Sequence, residues 1–462
     1  MKALAFFLSL SLLIITHEFG HLGLAKLFKT RVLRFYMFFN WKFSILKAKK
    51  FDGKWHFLFF NANTPKEWEE KEPDNTLWGI GWIPLGGYCD IAGMIDETKS
   101  EDKLESVPQP WEYRTKPAWQ RLLIISGGVL VNFVSALLIY TFIFAHWGKD
   151  ELPLRNASLG YEYHQILLDE GLRNGDIIYA VNSEEMYNLD VLNKRLLLEK
   201  TPELTVKRGD SLITLQLSDN FIARTLKEQP QALINGIRTP FVVKDFMPGS
   251  VAANAGVAVG DSVVSINHTP TPIFSSVTTA LSENAGDSVT IGFFRSGTYH
   301  ELTLKVPSNG KIGVQLKSPL EIFHVEHRSY NFFQAIPAGI SHGWQTLTTY
   351  VSSLKLLFTK NGAQSLGGFI SIGSIFPSEW SWQNFWDITA LLGIILAFMN
   401  IIPIPGLDGG HIMFTLWEII TRRKPSDKFL TIAQNIGMAL LLALLVLANG
   451  NDIWRLLQGL FN

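Results

Sequence analysis

Thr16-His17-Glu18-Phe19-Gly20-His21 lies inside a largely apolar run that extends from Ala3 to Leu27. About 20 mostly apolar residues cross a bilayer as a helix, so this run has membrane length. Two imidazoles and a carboxylate inside such a helix are expensive to bury and read as functional by default. Residues four apart on a helix share a face, which brings His17 and His21 together with Glu18 beside them. That is the H-E-x-x-H arrangement: two histidines for zinc and a glutamate to handle the proton of a water on the metal. Two plainer readings compete with it. One is a helix with incidental histidines, which the apolar setting makes costly. The other is a cleavable signal peptide after Lys2. Such a peptide ends in a small-residue site after an apolar core of about 7–15 residues, whereas this run continues through Leu22 to Leu27.

The rest of the chain suits a membrane protein with sizeable soluble parts. Charged residues make up 18% of the 462, below the roughly 25% of soluble domains. Lys plus Arg (41) equals Asp plus Glu (41), so no basic excess points to nucleic acid. Cys89 is the one cysteine, which excludes an intramolecular disulfide and a cysteine-based metal cluster. Three further apolar runs reach spanning length within the usual tolerance: Leu122 to Phe144, Ile388 to Ile402 extended by Phe385 and Trp386, and Phe429 to Leu447. Basic clusters flank them. Lys26, Lys29, Arg31 and Arg34 follow the first run, Arg114, Lys116 and Arg121 precede the second, and Arg422, Arg423 and Lys424 separate the third from the fourth. With four crossings all three clusters fall on one side, the cytoplasmic side by the positive-inside rule. The loop 29–118 is then inside, and the segment 149–384 and both ends are outside.

The loops carry their own patterns. Val32–Leu46 and Trp55–Asn61 are rich in Phe, Trp, Tyr and Ile, as strands are, with Asp52-Gly53 as a hairpin turn between them. Ile83-Pro84-Leu85-Gly86-Gly87-Tyr88 reads as another extended stretch that opens with a bend. Residues 62–76 hold five acidic side chains and read as a solvated insertion. Farther on, Gly171 to Asn182 repeats as Gly256 to Asn267, both with G-x-x-x-G-D and a terminal apolar-Asn pair. With Pro248-Gly249-Ser250 ahead of the second copy, the signature resembles PDZ domains. These bind peptides by adding them as a strand to a sheet edge. Phe333, Ile336, Ile340, Trp344, Leu347, Val351, Leu354 and Phe358 then step at helical spacing. A helix with that stripe either lies in a membrane interface or packs against the sheets.

A catalytic zinc usually takes three protein ligands and leaves a position for water. Asn400-Ile401-Ile402-Pro403-Ile404-Pro405-Gly406-Leu407-Asp408-Gly409-Gly410-His411 ends the third run. It sets a carboxylate among backbone breakers, where irregular chain at membrane depth lines a cavity. The other reading of Asp408 is an N-cap for a helix beginning near Gly409.

Taken together, HEFGH in a first span, N-x-x-P-x-P-x-L-D-G-G in a later one and PDZ-like modules between them resemble the site-2 protease family, closest to its bacterial RseP-type branch. The likeness covers nearly the whole chain and includes Ile83–Tyr88 and Ser126-Gly127-Gly128 with Asn132 in the second span. Two features depart from the family pattern, Gly128 where the family usually has proline and the charged insertion 62–76, and neither is expected to touch the metal site. The resemblance implies a multi-pass α-helical membrane protein with four transmembrane helices, a membrane-associated β-hairpin or sheet, and two tandem PDZ-like α/β domains. The expected layout has spans at 1–28, 119–147, 385–411 and 429–462, inner loops at 29–118 and 412–428, modules at 148–235 and 236–320, and an amphipathic helix with linker at 321–384. His17, His21 and Asp408 are implied as Zn2+ ligands and Glu18 as general base and acid. Asn400, with Pro403 and Pro405, would hold an unwound substrate, and the hairpin in 30–60 would offer it an edge strand. His411 is expected to support the site without binding metal.

The implied activity is zinc-dependent cleavage of transmembrane segments in single-pass proteins, such as anti-sigma factors, or of remnant signal peptides. The implied setting is a bacterial inner membrane, with the active site towards the cytoplasm and the PDZ pair screening substrates on the periplasmic side. The lipid bilayer is the expected surrounding, peptide binding at the modules is open, and no nucleic acid is expected. The alternatives are a non-catalytic membrane PDZ scaffold, which the intact ligand set argues against, and a transporter, for which the spans lack a paired repeat.

Overall fold

A computed structural model describes residues 1–84, 86–94, 107–198, 201–228, 230, 232–247, 249–354, 367–377 and 379–461. Leu85, Pro248, Phe358 and the linker before Gly367 lie outside them. The chain divides into two compact units, one of Met1–Trp147 with Ser329–Trp454 and one centred on Gly148–Arg328.

Among the described residues, four helices are long and apolar enough to cross a membrane: α1 (Lys2–Leu27), α3 (Ala118–Trp147), α6 (Trp382–Ile401) and α8 (Asp427–Phe461). Between α1 and α3 come β1 (Val32–Met37), β2 (Ser44–Phe51), β3 (Lys54–Asn61), α2 (Lys66–Glu70), β4 (Leu77–Ile80) and β5 (Tyr88–Ile91). Later come α4 (Phe332–Ser353), α5 (Phe369–Ser374) and α7 (Asp408–Thr421). The third span thus starts three residues before the expected boundary and ends at Ile401. The two prolines that follow cannot continue a regular helix, so the chain breaks before α7 begins.

Helix α3 is the hub of the first unit and packs on α1, α4, α6 and α7. Interfaces between membrane helices favour small residues because these let backbones approach. Here Gly20 of α1 meets Gly127 of α3 so closely that a Cβ on Gly20 would fall 2.2 Å from the Gly127 carbonyl oxygen. The Thr389 hydroxyl bonds the Ser9 hydroxyl at 3.0 Å, tying α6 to α1.

Of the two expectations for helix α4, packing against the sheets does not hold, because the helix packs on α3 and α6. It lies along α3 through Ala335, Gly339 and Gly343, with Gly339 against Thr141 and Gly343 against Leu137, and leaves Phe333, Ile340 and Trp344 exposed.

The five strands form one sheet in the order β3-β2-β4-β1-β5, with β1 and β4 parallel. The hairpin turn falls at Asp52-Gly53, both at positive φ (51° and 74°), the geometry that matches strand twist. The stretch read as one strand from Val32 to Leu46 is in fact β1 and the start of β2. On β3, Trp55, Phe57 and Phe59 are exposed. Segment 62–76 is more than a solvated insertion. Trp68 of α2 is buried against Phe51 and His56, and the buried Lys47 and Lys49 donate to the carbonyls of Ala62 and Trp68. The acidic count hid that anchor.

The second unit holds the repeat, and the two copies share the same strand order. Strands Ile177–Val181, Glu203–Arg208 and Ser211–Gln216 in the first correspond to Ser262–Ile266, Ser288–Arg295 and Thr298–Lys305 in the second. In each, a short last strand pairs with the first one: Ile234–Ile237 with Tyr161–Tyr163, and Val314–Leu316 with Phe241–Phe246. The first copy therefore draws its closing strand across the expected boundary at 235. The aspartate of each G-D is buried and held by an arginine, Asp176 by Arg208 and Asp261 by Arg295, at 2.7 Å in both. Each terminal asparagine caps a neighbouring strand, Asn182 accepting from the Glu203 N–H and Asn267 from the Thr290 N–H. Each copy has its own apolar core, one around Ile166, Ile178 and Phe221, the other around Val243, Val277 and Ile291.

Candidate metal centre

Helical spacing puts His17 and His21 on one face of α1, and the break after α6 brings the start of α7 to them. His17 Nε2 and His21 Nε2 are 3.2 Å apart, and Asp408 Oδ2 lies 3.2 Å from the first and 3.4 Å from the second. Ligands about 2.0 Å from one ion at tetrahedral angles stand about 3.3 Å from one another, so the three edges match a zinc triangle. Asp408 Oδ2 is buried and accepts no hydrogen bond, which suits an atom meant for a cation. Among the described residues these three alone form such a group, and His411 is not in it. Asp408 is not an N-cap. It is the first residue of α7, after Leu407 at the cap position, and makes no capping bond.

Other residues fix the imidazoles from behind. His21 Nδ1 lies 3.0 Å from the Ile124 carbonyl of α3. That acceptor fixes the proton on Nδ1 and leaves Nε2 facing His17 and Asp408. His17 Nδ1 is 3.4 Å from the side-chain amide of Asn132, which is fully buried and also bonded by the Thr16 hydroxyl at 2.9 Å. The two ends of an amide are assigned rather than seen, and with the Asn132 oxygen towards His17 the same arrangement holds on that ring. Gly128, which was not expected to touch the site, makes room for both. A Cβ there would fall 2.5 Å from His17 Cε1 and from His21 Nε2.

The half-buried Glu18 is close enough to feel the charges of His17, His21 and Asp408 and accepts a hydrogen bond from the Cys89 N–H of β5. The sheet edge that reaches the site is therefore β5. The hairpin strand β3 is the opposite edge, four strands away in the order. A groove of about 280 Å³ runs between α1 and the sheet, lined by Ile15, Phe19, Phe35, Leu46, Trp78 and Ile80.

Asn400 is half-buried in the last turn of α6. Pro403 is exposed, and Pro405 is packed under Gly410 and against Gly437 of α8, where a Cβ would fall 1.5 Å from the Pro405 carbonyl oxygen. The second proline thus shapes the turn that delivers Asp408. Sequence reasoning missed the roles of Gly128, the Ile124 carbonyl and Cys89. Only the Gly127-Gly128 pair inside an apolar span was a visible signal, and it gave no partner.

The profile described as peptidase family M50 matches residues 64–444, a stretch that contains Asp408 and begins after HEFGH. Three proteins are similar along nearly the whole chain. The regulator of sigma-E protease RseP of Escherichia coli is 27% identical over 476 residues, 98% of each chain. The protease RseP of Yersinia pestis is 26% identical over 486 residues, 98% of each chain. A Ralstonia nicotianae protein described as a zinc metalloprotease is 26% identical over 487 residues, 99% of each chain.

Proposed function

Since the chain belongs to peptidase family M50 and is a zinc metalloprotease, we propose that it cuts the transmembrane segments of single-pass membrane proteins from within the bilayer. One observation carries this reading: two imidazoles from the first span and a carboxylate from the break after the third run converge at 3.2–3.4 Å, with Glu18 beside them. His17, His21 and Asp408 would hold the ion, which when bound supplies Lewis acidity that polarises a carbonyl and acidifies water.

The chain's own residues do the rest. Glu18 accepts a proton from the attacking water and returns it to the leaving amine, a role worth about 10²–10⁴ in rate. The Ile124 carbonyl and Asn132 keep the imidazoles oriented while charge develops. A helical substrate hides its peptide bonds in its own hydrogen bonds, so cleavage needs local unwinding with replacement partners for the freed groups. The β5 edge next to Glu18 is suited to supply them by strand addition, and Asn400, with Pro403 and Pro405 after it, is proposed to hold the unwound chain. The apolar groove suits side chains drawn from a membrane segment.

As substrates we propose, by resemblance to the site-2 protease family, membrane-anchored regulators such as anti-sigma factors, and remnant signal peptides; relatives named as regulators of sigma-E support the first class. We place the protein in a bacterial inner membrane, with the centre towards the cytoplasm and the two PDZ-like modules screening substrates on the periplasmic side. A non-catalytic scaffold would need no such donor set, and zinc stoichiometry separates the two.

The test is incubation of purified wild-type and Glu18→Gln protein with a model single-span substrate, with and without a zinc chelator. Cleavage by the wild type alone, abolished by chelation, is expected. Equal cleavage by the Glu18 variant would overturn the mechanism.

A further inference from the structure

We propose that the Arg121–Glu418 ion pair is the positioning device for Asp408, and this rests on the reading that Asp408 shares a zinc with the two histidines. Arg121 stands in the first turn of α3 and Glu418 in the last turns of α7, 297 residues apart in sequence. Both side chains are largely buried, at 9% and 18% exposure.

Arginine at the end of an apolar span ordinarily extends its charge to water, and here it turns inward instead. Its Nη2 donates to the Glu418 carboxylate and its Nε to the Lys116 carbonyl. The Tyr113 hydroxyl meets the Arg121 carbonyl at 3.4 Å and bonds Thr415 of α7. Buried ion pairs seldom repay their desolvation, and their best-attested use is to fix register.

The register in question is that of α7. Asp408 is its first residue and Glu418 lies ten residues on, about 15 Å along the axis. Apolar contacts between α7 and α3, such as Ile412 against the cluster around Ile124, leave a helix free to slide by a fraction of a turn. A guanidinium that bridges the Glu418 carboxylate and the Lys116 carbonyl does not. Three residues after Arg121 comes Ile124, whose carbonyl orients His21. The first turns of α3 therefore set the position of His21 directly and that of Asp408 through α7. A zinc triangle with edges of 3.2–3.4 Å requires that common reference.

The test uses the full chain in detergent, with zinc affinity from chelator competition and thermal unfolding of the metal-free protein as separate readouts. Glu418→Gln, which keeps size and shape, is expected to stay folded and bind zinc about 10–100-fold more weakly, the loss typical of residues that support metal ligands. The exchange variant Arg121→Glu with Glu418→Arg is expected to recover most of that affinity. A folded Glu418→Gln protein with wild-type zinc affinity would overturn the proposal, whatever the exchange variant does. Wild-type protein that binds no zinc would overturn the metal reading and this inference with it. Zinc-binding wild type beside an unaffected Glu418→Gln would overturn this inference alone.

Discussion

In the repeats, residues that hold one another are close in sequence: Arg208 reaches Asp176 across 32 positions and Arg295 reaches Asp261 across 34. Around the metal centre the separations are 103 for His21 and Ile124, 115 for His17 and Asn132, and 297 for Arg121 and Glu418. Each repeat contains its own core and its own buried ion pair, so a lesion in one stays there. The centre instead borrows its packing from separate elements, with Leu22 and Ala25 of α1, Ile124 and Ile125 of α3 and Ile412 of α7 sharing one apolar cluster. It exists only while α1, α3 and α7 keep their distances, which close glycine contacts and a few polar bonds adjust.

The largest test of that contrast is Gly128→Val. The added Cβ falls within 2.5 Å of both imidazoles, and close-packed interiors yield little. Zinc content and turnover should both vanish while the helices still form, measured by metal analysis and circular dichroism. Glu18→Gln comes next. Cleavage should fall by about 10²–10⁴ with zinc content unchanged, which separates chemistry from assembly. Asn132→Leu should weaken zinc binding by about 10–100-fold, because His17 loses the group that orients its ring.

Lesions in the repeats should leave zinc alone. Arg295→Met strips the fully buried Asp261 of its counter-charge. Hydrogen exchange in strands 262–266 and 288–295 of the full chain should quicken, with metal content at the wild-type level. Altered zinc in this variant would break the contrast.

The smallest effect concerns pH. Burial pushes the Asp261 carboxyl up, but Arg295 and the Ala258 N–H outweigh it and hold the group below its ordinary value. A carboxyl depressed in the folded state contributes stability that is present above its unfolded value, about 3.9, and is lost as pH falls through the folded one. Once corrected for the intrinsic slowing of amide exchange in acid, protection in the second repeat should therefore fall as pH drops below about 4, and in Arg295→Met this dependence should flatten.

Much of this was legible in the chain itself, for physical reasons. His17, Glu18 and His21 declare themselves because ionisable groups in an apolar helix need a purpose, and Asp408 because prolines and glycines surround it. The repeat shows through G-x-x-x-G-D because each copy needs the same turn and the same buried aspartate. What stayed hidden depends on distance between elements. The strand order inserts β4 between β2 and β1, so the edge next to Glu18 is β5 and not the aromatic hairpin. Helix α4 packs by Ala335, Gly339 and Gly343, residues that no apolar stripe reveals. Arg121 counts in sequence as a topological charge, yet in the fold it is a buried partner. Acidic residues in 62–76 suggested solvent, while Trp68 ties that segment to the sheet.

Metal analysis of purified Asp408→Ala beside wild type and Glu18→Gln tests the central claim most directly. We expect stoichiometric zinc in the wild type and in Glu18→Gln, and its loss in Asp408→Ala. Full zinc in Asp408→Ala would mean that the far end of the chain contributes no ligand, and the account would be wrong.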